Sequence, residues 1–295
     1  MDRSPNPILL TGASGYVGSH LLTALADAGH DFRVLTRSPD GHSFPEGTDV
    51  RGGDALSGDG LDGALEGVKT AFYLIHSMGG ADGDFDAADR RAATNFARAA
   101  KEAGVERVVY LGGLDGASAH LQSRAQTARA LQEHGPQLVH ARAAMVIGTG
   151  SASFEIVRHL VNHLPVMIAP LWVETRTQPI AIDDTVRALI ALAEADDPPG
   201  EVQLGGADVL TYREMMERYA ALAGRRKRVL FKVPLFTPRL SSYWVALVTP
   251  VSLGLIQPLV EGLGAEMLVT EPPPPGINEA PIGFDDAVRA AMKTS

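Results

Sequence analysis

Short apolar runs alternate, along the first half of the chain, with longer segments in which apolar residues recur at helical spacing. The runs predict strands at 8–10, 32–36, 70–75, 107–111 and 137–141, with a shorter strand at 49–54. The run at 70–75 is continuous, as expected of a strand that is buried on both faces of a parallel sheet. Segments 17–28 and 56–67, and a longer one that ends at 103, predict helices. This alternation predicts an α/β fold with a doubly wound parallel sheet.

The link between the first strand and the first helix is rich in glycine. It runs Thr11-Gly12-Ala13-Ser14-Gly15-Tyr16-Val17-Gly18. Gly12 would allow a tight turn, Gly15 would let backbone N–H groups approach a pyrophosphate at the positive end of the helix, and Gly18 would let the helix pack close to the strand. The alternative is a purely structural turn, because the chain has 31 glycines. We predict a dinucleotide site with contacts here from Thr11, Gly12, Ser14, Gly15, Tyr16, Val17 and Gly18.

The spacing of these glycines, G-x-x-G-x-x-G after a threonine, resembles that of the extended and atypical short-chain dehydrogenase/reductases. That group includes NmrA-like proteins and relatives of the complex I accessory subunit. Segments 73–78, 150–155, 170–173 and 178–184 are similar to an NAD(P)-binding branch of the atypical reductases. The resemblance covers most of the chain and implies a Rossmann fold with a smaller C-terminal substrate-binding lobe. It carries little information about the substrate.

On this resemblance we expect three parts in the chain. Residues 1–148 would form the Rossmann dinucleotide-binding domain, and 149–271 the substrate lobe, from which the strand and helix at 178–204 return to the Rossmann body. Residues 272–295 would hold a proline-rich linker and a C-terminal helix. We expect that last helix, at 284–292, to return to the Rossmann body as well.

The end of the second predicted strand bears on the choice of cofactor. About twenty residues past the glycine turn, an NAD site usually places an acid that binds the ribose hydroxyl. The sequence has Thr36, Arg37 and Ser38 there instead. Because a guanidinium suits a bidentate grip on a phosphate, we predict NADP(H) rather than NAD, with contacts from these three residues. The alternative is a solvent-exposed arginine at a strand end.

The ends of the other strands add further candidates. In the resembling family an Asp after the third strand binds the adenine amino group, which points to Asp54; the alternative is a turn-forming aspartate. Ligands of open α/β sheets lie outside the carboxyl ends of the strands. The residues that should therefore border the ribose and nicotinamide are Ile75, His76, Ser77 and Gly112. The resemblance also implies that Met145 packs against the nicotinamide.

The catalytic groups of the resembling family are missing. Its general acid is the Tyr of a Y-x-x-x-K pair, and none of the six tyrosines of this chain is followed by Lys four residues later. Moreover, the sequence has no lysine between Lys101 and Lys227. Where extended reductases carry a Ser-Ser pair at the end of the fifth strand, this sequence has Gly112-Gly113.

His120 and Arg124 stand where the family has its Tyr and Lys. Their i, i+4 spacing puts both on one face of a helix. A histidine with its ordinary pKa of about 6.5 can donate a proton at neutral pH, and a neighbouring arginine would bias it toward the neutral form. Arg124 could hold the nicotinamide ribose but could not pass on a proton. We predict this pair as the catalytic residues; the alternative is a histidine at the helix start that only shapes the pocket or binds the cofactor.

Composition narrows the class of protein. The net charge of −9 argues against nucleic-acid binding, and the lack of cysteine excludes disulfides and thiolate chemistry.

The N-terminus has no secretory pattern, so we expect a cytoplasmic protein. The apolar stretch 243–260 is interrupted by proline, glycine and glutamine, which predicts a buried or interfacial helix pair rather than a membrane span. The stripe Glu155, His159 and His163 lacks an independent fourth ligand, so we predict no metal site. A homo-oligomer is compatible with the sequence.

Three functions are compatible with these features. The first is an NADP-dependent oxidoreductase that transfers hydride between the nicotinamide and a carbonyl, imine or activated alkene of a small, mostly apolar substrate. The apolar chain after residue 233, from which relatives build the lid over the substrate, indicates a hydrophobic substrate, a membrane-adjacent quinone-like molecule or a partner surface. The second is a non-catalytic NADP(H)-binding redox sensor or a structural subunit of an assembly. The third is a lyase or isomerase that uses His120 as an acid and base.

Overall fold

The computed structural model of the protein describes residues 6–76, 85–114, 118–169, 171–232 and 260–293. The strands, numbered along the chain, are β1 (Ile8–Thr11), β2 (Phe32–Thr36), β3 (Asp49–Gly52), β4 (Thr70–Tyr73), β5 (Arg107–Gly113), β6 (Gln137–Ala143), β7 (Val146–Ile147), β8 (Val166–Ala169), β9 (Arg176–Thr177), β10 (Ile180–Ala181), β11 (Glu201–Leu204), β12 (Leu210–Thr211) and β13 (Val229–Lys232). The helices are α1 (Tyr16–Asp27), α2 (Leu61–Leu65), α3 (Phe85–Glu102), α4 (Ala119–His134), α5 (Ala152–His163), α6 (Ile182–Glu194), α7 (Tyr212–Leu222) and α8 (Phe284–Lys293).

Seven parallel strands form the central sheet, in the order β11-β6-β5-β4-β1-β2-β3. The chain runs outward from β1 to β3 and then crosses back to place β4 on the other side of β1. The strand order therefore reverses between β1 and β4, which is the point where ligands bind in sheets of this kind. The predicted doubly wound Rossmann sheet is confirmed.

Alternate residues of each strand enter separate hydrophobic cores on the two faces of the sheet. In β1, Leu10 packs in one core with Leu21 of α1, whereas Leu9 packs in the opposite core with Tyr73 and with Phe96 of α3. Successive side chains of a strand point to opposite faces. Because helices cover both faces, the strands are continuous apolar runs rather than alternating ones.

The glycine turn after β1 is closely packed. Gly12 has a φ of +69°, and a Cβ atom on it would lie only 2.6 Å from the carbonyl oxygen of Leu74. A Cβ atom on Gly18 would collide with the backbone of Gly12. The N–H of Gly15 donates to the carbonyl of Gly12 over 2.9 Å and closes the turn. The roles predicted for Gly12 and Gly18 in the tight turn and in helix–strand contact are thus confirmed.

A second core lies in the C-terminal half, where α5, α7 and α8 meet the short parallel pair β7–β10. Phe154 and Leu160 of α5 pack there with Tyr219 of α7 and Val288 of α8. Two further pairs flank this core: β8 with β13, which are parallel, and β9 with β12, which are antiparallel. This is the smaller lobe that accompanies the Rossmann sheet.

The last helix does not return to the Rossmann body, so that prediction is wrong. The side chains of α8 that are buried in the second core recur at helical spacing: Phe284, Ala287, Val288 and Ala291. They pack against α7, β7 and β10, because this apolar stripe matches the second core. The buried carboxylate of Asp184 directs the chain there by accepting the N–H of Ile282 over 2.8 Å.

Some predicted boundaries also change. The helix expected at 56–67 is limited to Leu61–Leu65, because Gly58 and Gly60 before it have positive φ values of +90° and +74°. Most of the apolar stretch 243–260 lies outside the described residues, as do 233–242. None of the described helices is both long enough and apolar enough to cross a bilayer. The domain division at residue 148 stays a prediction.

Gly12 and Gly29 provide a matched test of the packing at the glycine turn. Both have positive φ, +69° and +75°, but only Gly12 is crowded, since a Cβ atom at Gly29 would meet nothing within 4 Å. We expect Gly29→Ala to lower the free energy of unfolding by roughly 1–2 kcal/mol through backbone strain alone. Gly12→Ala should cost at least about twice that, because the added methyl collides with the Leu74 carbonyl. Denaturant titration measures both, and equal losses would contradict the close contact.

Candidate nucleotide and substrate site

A cavity of about 930 Å³ lies outside the carboxyl ends of the central strands. One side of its wall comes from the residues that follow β1, β2, β3 and β4 and from the ends of β5 and β6. The other side comes from α4, α5, α7 and the segment 260–267. The cavity therefore joins the reversal point of the sheet to the smaller lobe, which is the usual place for a ligand in such folds.

Most of the residues predicted from the sequence line this cavity. They are Gly12, Ser14, Gly15, Tyr16, Val17, Gly18, Thr36, Arg37, Asp54, Ile75, His76, Gly112, His120, Arg124 and Met145. The predicted contact Ser77 lies outside the described residues. These residues come from seven separate segments of the chain, and the fold brings them together around one space.

Thr11 and Ser38 are not part of the cavity wall, contrary to the roles predicted for them. The fully buried hydroxyl of Thr11 donates to the carbonyl of Phe72 over 3.0 Å and accepts the N–H of Leu74 over 3.1 Å. It joins the ends of β1 and β4 and does not reach the cavity. Ser38 is exposed, and its N–H donates to the hydroxyl of Thr36 over 3.3 Å.

The glycine turn presents the start of α1 to the cavity. Gly15 immediately precedes the helix and has no side chain with which to cap its first N–H groups. A Cβ atom on Gly15 would lie 3.2 Å from the carbonyl oxygen of Gly12, so the turn has little room for a side chain. Uncapped N–H groups and the positive end of the helix dipole attract phosphate. The turn thus fits the pyrophosphate of a dinucleotide by its geometry as well as by its spacing.

Arg37 and Asp54 form the next part of the wall, at the ends of β2 and β3. Arg37 is exposed, and its guanidinium forms no hydrogen bond or ion pair with another described residue. The carboxylate of Asp54 accepts the N–H of Leu56 over 2.9 Å, which is the turn-forming role left open by the sequence. Because Asp54 also lines the cavity, this turn and a ligand contact are compatible.

The end of β5 shows why glycine stands where the resembling family has serine. A Cβ atom on Gly112 would collide with the ring of His140, and one on Gly113 would collide with the Leu121 side chain. His140 projects from β6 and stacks on Tyr110, with ring centroids 5.3 Å apart. The volume of the missing side chains is therefore filled by a histidine from the neighbouring strand and a leucine from α4.

His120 and Arg124 lie on one face of α4 and both line the cavity. The hydroxyl of Ser118 caps the helix by accepting the N–H of Leu121 over 3.3 Å. Burial, together with the Arg124 guanidinium, lowers the pKa of His120 to about 4, while Asp86 opposes the shift more weakly. His120 is therefore uncharged at neutral pH, where its ring can donate one N–H hydrogen bond or accept a proton.

Arg124 influences two other histidines. The surrounding protein, followed by the charge of Arg124, lowers the pKa of His76 to about 3, although the ring is exposed to the cavity. Burial lowers the pKa of His140 to about 4, with Arg142 and Arg124 adding to the shift and Glu201 opposing it. The Nε of Arg124 is buried and has no hydrogen-bond partner among the described residues. The Arg124 guanidinium thus lowers the pKa of all three imidazoles, and at His140 the charge of Arg142 adds to its effect.

Several wall residues were not anticipated from the sequence. Asp89 of α3 is buried and lines the cavity near Tyr73 and Tyr110, whose pKa values it helps to raise after the larger effect of burial. The sequence could have indicated Asp89, because its spacing places a carboxylate on the same face of α3 as the buried Ala93 and Phe96. The apolar end of the wall comes from the smaller lobe. No local sequence pattern indicated that these residues would line a cavity. Its side chains include Ile156, Val157, Leu160, Trp172, Tyr212, Met216, Val260, Leu263 and Met267.

The histidines of α5 do not form part of a metal centre in the described structure. The rings of His159 and His163 stack on each other with centroids 3.8 Å apart. Among the described residues, no group of three or more His, Asp or Glu side chains is arranged to hold a metal ion.

A sequence model for a family described as NAD(P)H-binding matches residues 12–159, half of the chain. The match begins at the glycine turn and ends within α5, so it contains the nucleotide half of the cavity wall. The chain belongs to this NAD(P)H-binding family, and a nicotinamide dinucleotide is therefore its cofactor class.

Individual relatives are dehydrogenases and reductases. A 3β-hydroxysteroid dehydrogenase/Δ5→4-isomerase of Mycobacterium tuberculosis is 34% identical over 35% of this chain, and the match spans only 30% of that relative's length. A ceramide reductase of Caulobacter vibrioides is 28% identical over 76% of this chain and 72% of its own. The crystal structure of the Citrobacter triphenylmethane reductase with NADP(H) shares the fold, with a TM-score of 0.75, 15% identity and coverage of 97% and 99% of the two chains.

The pKa of His120 provides a direct test of the charge arrangement. We expect Arg124→Gln to raise this pKa from about 4 by about one pH unit, but not to the ordinary 6.5, because burial is the larger cause and remains. Histidine NMR titration measures the change. Arg129→Gln removes an exposed cation from the same helix and should leave the His120 pKa unchanged. A His120 titration near 6.5 in the unsubstituted protein would contradict the described burial.

Proposed function

We propose that the protein is an NADP-dependent reductase of a small, mostly apolar molecule that carries a carbonyl, imine or activated alkene. The observation that carries this proposal is the cavity, which joins a dinucleotide-binding turn to an apolar chamber past His120 and Arg124. A bound nicotinamide supplies the hydride, and the protein supplies position and electrostatics.

The choice of NADP rests on Arg37. Its guanidinium lies in the cavity wall at the end of β2, where an NAD site would place an acid. The 2′-phosphate of NADP gives such a guanidinium a bidentate partner. Thr36, half-buried beside it, offers a hydroxyl to the same group.

The substrate class follows from the other end of the wall. The side chains contributed by α5, α7 and the segment 260–267 include no Asp, Glu, Lys or Arg. Trp172 and Tyr212 meet there edge to face, with centroids 5.8 Å apart and an interplanar angle of 87°. An apolar wall of this kind binds an uncharged molecule through burial of apolar surface. The names of the relatives, a ceramide reductase and a 3β-hydroxysteroid dehydrogenase, agree with an apolar substrate.

His120 and Arg124 would assist at the reacting atoms. Reduction of a carbonyl creates negative charge on its oxygen, and a guanidinium with an adjacent imidazole N–H stabilises such charge. The same negative charge would raise the pKa of His120 and so oppose the effect of Arg124. With that raised pKa, His120 would take up a proton from water and pass it to the reduced oxygen, while Arg124 would remain a fixed cation. The pair would thus perform the work of the Tyr–Lys pair.

The second candidate is an NADP(H)-binding redox sensor without turnover. The filling of the β5 end by His140 and Leu121 favours it, because no hydroxyl stands where the family's serine would act. The two candidates share the cofactor and differ only in whether the cofactor is oxidised.

The first experiment is calorimetric titration with NADPH, NADP⁺, NADH and NAD⁺. We expect NADPH to bind more tightly than NADH, and Arg37→Ala to weaken NADPH binding roughly tenfold to a hundredfold through loss of a charged hydrogen bond. NADH binding should change little in the same variant. Arg129→Ala, an exposed arginine outside the cavity wall, is the control. Equal affinity for NADPH and NADH, unaffected at Arg37, would reject NADP, and no nucleotide binding would reject the whole proposal.

The second experiment measures oxidation of NADPH with a panel of apolar ketones, imines and quinones. With an active substrate, His120→Gln should lower kcat by about a hundredfold or more while NADPH affinity is retained. Arg129→Gln should keep the activity of the unsubstituted protein. If NADPH binds but no panel member is reduced, the sensor is favoured. If His120→Gln turns over normally, His120 is not a catalytic residue.

A further inference from the structure

The pair β8–β13 forms a two-stranded parallel ribbon at the edge of the second core. In its register Val229 pairs with Val166, and Leu230 pairs with Met167. Met167 is buried in the second core, and Leu230 packs against that core. The opposite side, which we name the outer ribbon face, consists of Val166, Val229 and Phe231. Their side chains are 52%, 47% and 58% exposed.

This ribbon is apolar on both sides, whereas a sheet face that meets water is normally polar. Leu171, two residues after β8, is 59% exposed as well. The described part of the chain has six large apolar side chains that are exposed, and four of them are these. Exposed apolar residues that are scattered singly need no explanation, but a concentration of them marks a binding surface.

Three cations precede β13 in the chain and so lead into the outer ribbon face. Arg225, Arg226 and Lys227 are exposed between α7 and β13, and they form no ion pair with another described residue. The run is anchored by the buried Arg228, whose Nε donates to the carbonyl of Val161 over 2.8 Å. Three adjacent exposed cations stand out on a chain with a net charge of −9.

We propose that the outer ribbon face and these three cations form a docking surface for an anionic lipid membrane. Apolar side chains would enter the boundary between headgroups and acyl chains, and the cations would bind lipid phosphates. A second copy of the chain fits this surface less well, because a two-fold contact would bring six cations together. The inner side of the ribbon packs on the second core, together with α5 and α7. These two helices also line the apolar end of the cavity. The inference is independent of whether the cofactor is NADP.

Vesicle co-sedimentation with the full chain tests the proposal. Vesicles of phosphatidylcholine alone are compared with vesicles that contain roughly a third phosphatidylglycerol. We expect binding to the anionic vesicles that weakens with salt, and at least tenfold weaker binding to the neutral ones. Replacing the three cations, as Arg225→Ser/Arg226→Ser/Lys227→Ser, should weaken binding to anionic vesicles by about a hundredfold. Val166→Ser/Phe231→Ser should weaken it by roughly tenfold or more.

Matched controls separate this surface from general charge and apolarity. Arg98→Ser/Lys101→Ser/Arg129→Ser removes three exposed cations from α3 and α4 and should leave vesicle binding unchanged. Val209→Ser removes an exposed apolar side chain elsewhere and should do the same. Thermal melting of each variant confirms that it is folded. The ribbon variants should be no less stable than the unsubstituted protein, because they replace exposed side chains.

Two results would overturn the proposal. One is the absence of vesicle binding, or binding that the control triple variant weakens as much as the triple variant next to the ribbon. The other is a change of oligomeric state: if sedimentation shows a dimer that Val166→Ser/Phe231→Ser converts to monomers, the outer ribbon face is a contact between copies of the chain.

Discussion

The contact of three backbone segments at Gly12 is the constraint on which the rest of the structure depends. The carbonyl of Leu74 leaves no space for a side chain on Gly12, and α1 reaches the same turn through Gly18. The Thr11 hydroxyl fastens the end of β1 to the end of β4 from the buried side. The two halves of the sheet meet at this point, where the strand order reverses. Because backbone alone fills the turn, the first N–H groups of α1 face the cavity and can receive a phosphate.

Two arginines place positive charge along the sheet side of the cavity, and the side formed by the smaller lobe is apolar. Arg37 lies in the wall at the end of β2, and Arg124 lies where the wall passes from the sheet to the smaller lobe. Beyond Arg124 the wall is apolar. The low pKa of His120 follows from this arrangement, because a buried imidazole beside a permanent cation resists a second positive charge. An enzyme that used this pair would have a permanent cation beside the reacting atoms, but it would lack the readily transferred proton that a Tyr–Lys pair provides.

The sequence predicted those features that local periodicity and spacing determine. Apolar runs located the strands, the glycine spacing located the turn, and an interval of four residues placed His120 and Arg124 on one face. Features that depend on distant partners were missed or misassigned. Thr11 lies within the nucleotide motif but bonds to β4, and Asp184 lies at a helix start but accepts the N–H of Ile282. The destination of α8 depended on the shape of a core formed with α7, β7 and β10, which are distant from it in the sequence, and no local pattern encodes that shape.

The glycines at the end of β5 show how a change in one strand depends on its neighbour. In the register of the sheet, Tyr110 pairs with His140 and Gly112 pairs with Arg142. His140 stacks on Tyr110 and extends over Gly112, so a serine at 112 would require the imidazole to move. The glycine at 112 and the histidine at 140 therefore depend on each other: the imidazole occupies the space that a serine side chain at 112 would need. This sequence has neither that hydroxyl nor a Y-x-x-x-K pair. The described wall presents His76, His120 and Arg124 to the cavity, and of these three only Arg124 carries a permanent charge.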